Sequence, residues 1–145
     1  MNVFNSLIDQ SEVVEILKEA VKSAQKLNES SQVMTNTWLF TGPPGSGRSN
    51  AAIAFAAALV CKEGGCSKCS DCMSTIIGTH ADVELIKTEG LSIKIDEIRE
   101  LITRASWAPS VASYRVVVIE DSDRLTESAA NALLKVIEEP GLRTI

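Results

Sequence analysis

Apolar side chains recur at three- and four-residue spacing through Val13, Ile16, Leu17, Ala20, Val21, Ala24 and Leu27. That period predicts an amphipathic helix over 12–27, with Ser11 as its N-cap. Residues 28–36 are polar, with two adjacent serines, and read as a loop. Thr37-Trp38-Leu39-Phe40 is short, apolar and β-prone, and an alanine-rich run from Asn50 to Leu59 then predicts a helix ending near Val60. Met73 to Ile77 is a short helix stopped by Gly78. Asp82 to Ile86 alternates polar and apolar residues and reads as a strand. Ser92 to Ile95 is extended or turn-like. Asp96 is placed to cap a helix that buries Ile98, Leu101, Ile102 and Ala105, and Trp107 beyond it reads as a packing residue before the break at Pro109 and Ser110. Arg115-Val116-Val117-Val118-Ile119 is a continuous apolar run, as a parallel strand covered on both faces requires. From Thr126, a good N-cap, a helix carries Ala129, Ala130, Leu133, Leu134, Val136 and Ile137 to a stop at Pro140. Strands alternating with helices predict an α/β domain built on a parallel sheet.

The length of 145 residues suits one domain with a real core, and 45% hydrophobic with 23% charged residues is a globular composition. No apolar run approaches the ~20 residues that span a bilayer, and Met1 to Asn5 lacks the basic and apolar regions of a signal peptide. The expected location is the cytoplasm, away from membranes. A net charge of −5 with no basic stripe argues against strong nucleic-acid binding by this chain alone. Any role on DNA would come through partners.

The densest chemical signal is Thr41-Gly42-Pro43-Pro44-Gly45-Ser46-Gly47-Arg48-Ser49. From Gly42 to Ser49 it follows the phosphate-binding P-loop pattern, except that Arg48 replaces lysine. The glycines turn the backbone so that N–H groups and the helix dipole meet an anion. The plainer reading is an ordinary strand-to-helix turn. Lysine is a compact charge that follows the shifting phosphates, whereas guanidinium is longer, planar and forked. Arg48 can hold a phosphate, and impaired hydrolysis is expected.

Cys61, Cys66, Cys69 and Cys72 follow the spacing C-x4-C-x2-C-x2-C. Four thiolates this close suit tetrahedral zinc, and an all-cysteine shell makes that Zn²⁺ structural. Four reduced thiols or an iron–sulfur cluster are the alternatives. His80, the only histidine, reads as a solvent or packing residue.

The strand ending in Glu120-Asp121, downstream of a P-loop, looks like a Walker B element. In that element Asp helps hold Mg²⁺ and Glu polarises water, in the order Asp then Glu. The order here is reversed, and a misplacement of about 1 Å can cost roughly a hundredfold in rate. A solvated strand end is the plainer reading.

Further segments carry a family resemblance. Phe4 with Leu7-Ile8-Asp9-Gln10 is similar to an N-terminal "F..LIGQ" box, with Asp9 in place of glycine. His80-Ala81-Asp82 followed by Ser92 to Arg99 resembles "HPD … IKIDQIR", and Asn131 to Pro140 nearly reproduces "NALLKTLEEP". With the P-loop and the cysteines, whose first gap is shorter than usual, these cover essentially the whole chain. The chain resembles the delta-prime subunits of bacterial DNA polymerase III clamp loaders, which are AAA+ proteins.

The resemblance implies a partial AAA+ P-loop domain over 1–145 with an inserted zinc module at about 61–72. It also implies a hetero-pentamer with gamma/tau and delta subunits, which loads the sliding clamp onto primed DNA at the expense of ATP. Delta-prime subunits often carry degraded Walker motifs and act as a stationary wall. Arg48 and the Glu120-Asp121 order suit that role, with ATP or ADP and Mg²⁺ as possible ligands. The alternatives are an active gamma/tau-type motor ATPase and a zinc-based binding module. The family's sensor strand, arginine finger, lid and collar would follow residue 145. Glu138 and Glu139 oppose the helix dipole at the end of the last helix and are candidates for a partner-facing pair or simple exposed acids.

Overall fold

The computed structural model describes residues 1–26 and 35–145. Leu27 and residues 28–34 of the expected loop lie outside the described residues. The elements are a 3-10 turn at Val3–Ser6, then α1 (Ser11–Lys26), α2 (Arg48–Val60), α3 (Ser70–Ile76), β1 (Val83–Ile86), α4 (Ile95–Ala105), β2 (Val116–Ile119), a second 3-10 turn at Ser122–Arg124, and α5 (Glu127–Glu138). The two strands pair in parallel from Val83↔Val116 to Ile86↔Ile119. Residues 143–145 begin a third lane beside β2, with Ile145 N–H donating to Arg115 and Val117 N–H donating to Ile145, both at 2.9 Å.

α2 is the centre of the packing. Ala54 to Val60 is buried without a break, and this is why the helix is apolar all round and rich in alanine. Small side chains let α1, α3, the N-terminal turn and β2 all approach it closely. Phe4, Leu17, Val21, Phe55, Tyr114 and Val116 complete this core, and a smaller one forms where Ile93 and Ile98 meet Ala129 of α5.

Thr126 caps α5 as expected, its hydroxyl accepting from Ala129 N–H at 3.2 Å. The other two expected caps are displaced by one residue or two. Ser11 is already helical, with the Gln10 carbonyl accepting from Val14. Asp96 sits in the first turn of α4, where Glu97 instead accepts from Lys94 N–H at 3.4 Å.

Thr37–Phe40 is extended but joins no ladder among the described residues. A strand needs a hydrogen-bonded neighbour, and this segment and β2 both face a cavity of about 1140 Å³. Its alternation still serves packing, with Trp38 and Phe40 against Phe55 and Leu39 outward. For the same reason β2 is not covered evenly: Val116 and Val118 are buried, while Val117 and Ile119 are half-buried on the cavity wall. Trp107 is exposed and contributes its carbonyl, which accepts from Arg115 Nε at 3.0 Å.

Asp82 fastens the start of β1 to the loop before β2. Its side chain is fully buried. The carboxylate accepts from the N–H groups of Ser110, Val111 and Ala112, each at 2.7 Å, and from the Ser110 hydroxyl at 2.9 Å. Arg115 stands 3.4 Å away. Burial alone would raise this carboxyl, but the hydrogen bonds from Ser110, Ala112 and Val111 outweigh it and bring it from 3.8 to about 2. A carboxyl lowered by folding contributes stability above its unfolded value and loses that contribution as pH falls through its folded value. Asp82 should therefore contribute about 2 kcal/mol that is present above about pH 4 and vanishes toward about pH 2. Urea unfolding across that window should show the loss, and Asp82→Asn should flatten it.

Candidate functional site

The backbone between Phe40 and α2 turns back on itself before entering the helix. Ser46 N–H donates to Pro43 at 3.2 Å, and Gly47, with φ of 83°, takes the left-handed conformation that starts α2. Ala51 N–H makes the first intrahelical bond, to Gly47 at 2.9 Å. The N–H groups of Gly47, Arg48, Ser49 and Asn50 therefore head the helix without intrahelical acceptors. Gly42 is needed for space, because a Cβ there would stand 2.7 Å from Ser46 Oγ. That oxygen is buried and has no hydrogen-bond partner, an unusual state for a hydroxyl. A cradle with an orphaned polar atom, spare N–H groups and a helix N-terminus is suited to an anion. Arg48 and Ser49 lie at its edge, half-buried, on the wall of the large cavity. No salt bridge among the described residues involves Arg48.

Glu120 and Asp121 line the same cavity, so the fold brings both sequence-identified elements to one space. Glu120 extends the strand pairing by donating its N–H to Ile86 at 2.9 Å. Its carboxylate, mostly buried, meets Lys87 at 3.6 Å. Asp121 has a left-handed backbone, with φ of 49°, and its carboxylate meets Arg124 at 3.7 Å. Arg124 also donates to the Gly90 carbonyl at 3.2 Å. Both acids thus have a cation beside them. Sequence reading did not single out Lys87 and Arg124. The register Ile86↔Ile119 sets Lys87 beside Glu120, a signal available only once the two strands are known to pair.

The four cysteines come together as their spacing suggests. Their sulfurs lie within 4.8 Å of one another and could hold a metal ion. Cys61 caps the end of α2, and Cys69 caps the start of α3, its sulfur accepting from Cys72 N–H at 3.4 Å. Cys66 Sγ accepts from Cys69 N–H at the same distance. Burial works against a Cys61 thiolate, yet the backbone N–H groups of Cys66, Gly65 and Glu63 lower that thiol from 9.0 to about 7. Burial raises Cys72 well above the usual thiol range. A lowered thiol beside three others suits metal binding, which releases protons from its ligands.

His80 is buried and sits outside this cluster. Its Nδ1 accepts from Asp82 N–H at 3.0 Å, and Nε2 stands 3.7 Å from Asp71 of α3. It is a packing residue that links the cysteine segment to β1. Glu138 and Glu139 are exposed at the end of α5. No helix among the described residues is long and apolar enough to cross a membrane.

Comparison with known proteins places these features in context. Residues 10–145 match the family model described as DNA polymerase III, delta subunit. The chain is 35% identical over 115 residues to DNA polymerase III subunit delta' of Bacillus subtilis, covering 77% of this chain and 35% of that protein. It is 31% identical over 142 residues to subunit tau of the same organism, covering 94% of this chain and 23% of the relative. Subunit delta' of Pseudomonas aeruginosa is 32% identical over 116 residues, 76% of this chain and 35% of that protein. The chain therefore spans about a third or less of the length of these relatives.

Proposed function

The chain belongs to the DNA polymerase III delta subunit family, and on that premise we propose that it is a clamp-loader scaffold subunit. In this reading it is a partial AAA+ P-loop domain over 1–145 that binds nucleotide without turning it over. Its partners are the gamma/tau and delta subunits of a hetero-pentamer in the cytoplasm, and through them the sliding clamp and primed DNA. The 35% identity to a delta' subunit supports the assignment.

One observation carries the absence of hydrolysis. Glu120 and Asp121 are each paired with a neighbouring cation, 3.6 and 3.7 Å away, while Arg48 stands where lysine would follow the phosphates. A general base must be able to reach its water, and a carboxylate turned toward a neighbouring cation is misdirected for that task. Gly42 to Ser49 would cradle the phosphates of ATP or ADP. The orphaned Ser46 hydroxyl beside the head of α2 supports that fit.

The metal in this reading is a structural Zn²⁺ held by Cys61, Cys66, Cys69 and Cys72 in a module at about 61–72. A tetrahedron with Zn–S bonds of about 2.3 Å has sulfurs about 3.8 Å apart. The Cys61 sulfur lies 3.8 Å from Cys66 and 3.7 Å from Cys69. Four thiolates leave no open position, so the metal supplies rigidity and no chemistry.

The test is assembly. Mixed with the tau and delta subunits of its own organism, the chain should co-elute with them in size-exclusion chromatography. Elution apart from both, by a folded sample, overturns the scaffold reading. The second reading is a gamma/tau-type motor, which the 31% identity to a tau subunit supports. Steady-state hydrolysis by the chain alone would favour it.

A further inference from the structure

Resting on the nucleotide-binding reading above, we infer that the P-loop pocket takes a nucleoside di- or triphosphate without a divalent cation. Arg48, Lys87 and Arg124 supply the counter-charge that Mg²⁺ usually brings.

A P-loop faces carboxylates across the phosphate site. Polyphosphate and carboxylates repel one another, and a cation bound between them resolves the conflict. In this chain the conflict is removed another way. Glu120 has the Lys87 ammonium beside it at 3.6 Å, and Asp121 has the Arg124 guanidinium at 3.7 Å. All of these except Lys87 line the cavity beside Arg48 and Ser49. A magnesium ion would have to displace the Lys87 ammonium to gain Glu120, or the Arg124 guanidinium to gain Asp121. It prefers oxygen ligands at near-octahedral geometry, and without those acids the head of α2 offers it only the neutral Ser49 hydroxyl beside the phosphates and water. The residues present therefore do not fit Mg²⁺.

They do fit the naked anion. The N–H groups at the head of α2 and the Ser46 hydroxyl are available as donors. Arg48 makes no ion pair among the described residues and presents a fork that matches two phosphate oxygens. Asp123 is a further acid on the cavity wall, exposed in the turn after β2. A lone exposed carboxylate makes a poor magnesium site, which makes Asp123 a useful control.

The experiment is calorimetric titration of the folded chain with ADP and ATP, in excess Mg²⁺ and again in EDTA. The expected result is binding in both, with dissociation constants within about threefold. Lys87→Met frees the Glu120 charge on an exposed side chain that folding does not need. It should weaken binding in EDTA about tenfold and restore a preference for Mg²⁺, while Asp123→Asn should change neither. Binding only in Mg²⁺ overturns this inference and leaves the nucleotide reading intact. Binding in neither condition overturns both.

Discussion

On the proposed reading of a structural zinc, chelation, or replacing Cys72 with serine, is expected to unfold the chain. Cys72 is fully buried and Cys61 nearly so. The cluster joins the end of α2 to the start of α3, and Val3 N–H donates to Gly65 within the same segment at 3.0 Å. Without a metal, four thiols must share a site in which the Cys61 sulfur is about as close to those of Cys66 and Cys69 as bound ligands would be. A structural zinc site contributes on the order of 10 kcal/mol in small domains, as much as the whole net stability of many domains. Circular dichroism in a strong chelator should show loss of helix, with recovery on adding Zn²⁺ and none on adding Mg²⁺. An unchanged melting temperature in the chelator would mean that the four thiols are ordinary core residues.

Asp82→Ala is the second change with a large expected effect, a loss of about 3–5 kcal/mol. The substitution leaves the Arg115 guanidinium buried without its carboxylate, and it orphans the N–H groups of Ser110, Val111 and Ala112. A charge left buried without its partner costs more than a hydrogen bond contributes when made. The urea midpoint should fall accordingly. Adding Arg115→Met should recover part of the loss, because it removes the stranded charge. A midpoint within about 0.5 kcal/mol of the native chain would place Asp82 among ordinary surface residues.

Helices were legible because their signal is local. The three- and four-residue spacing in α1, α4 and α5, and the alanines of α2, needed no knowledge of distant neighbours. The cysteine cluster was legible for the same reason, since its ligands lie within a dozen residues. Strand pairing is not local. Thr37–Phe40 has the composition of a strand, yet whether it joins a ladder depends on what lies beside it. Trp107 was read as packing, but its side chain is exposed. Asp82 itself looked like one polar position in an alternating strand, because its donors are 28 to 30 residues away. The cations beside Glu120 and Asp121 were hidden in different ways. Lys87 is reached only through the parallel register, and Arg124 only through the left-handed turn at Asp121.

In the proposed reading these two cations stand against hydrolysis alongside the reversal of the two acids. Restoring lysine at position 48 changes one departure and leaves the acids paired. The most direct measurement follows radiolabelled ATP under single-turnover conditions, with the folded native chain and Arg48→Lys both in excess over nucleotide. Nucleotide binding without hydrolysis predicts ATP retained by the native chain and recovered intact from both proteins. Conversion to ADP by the native chain faster than in buffer would contradict it and identify a working ATPase.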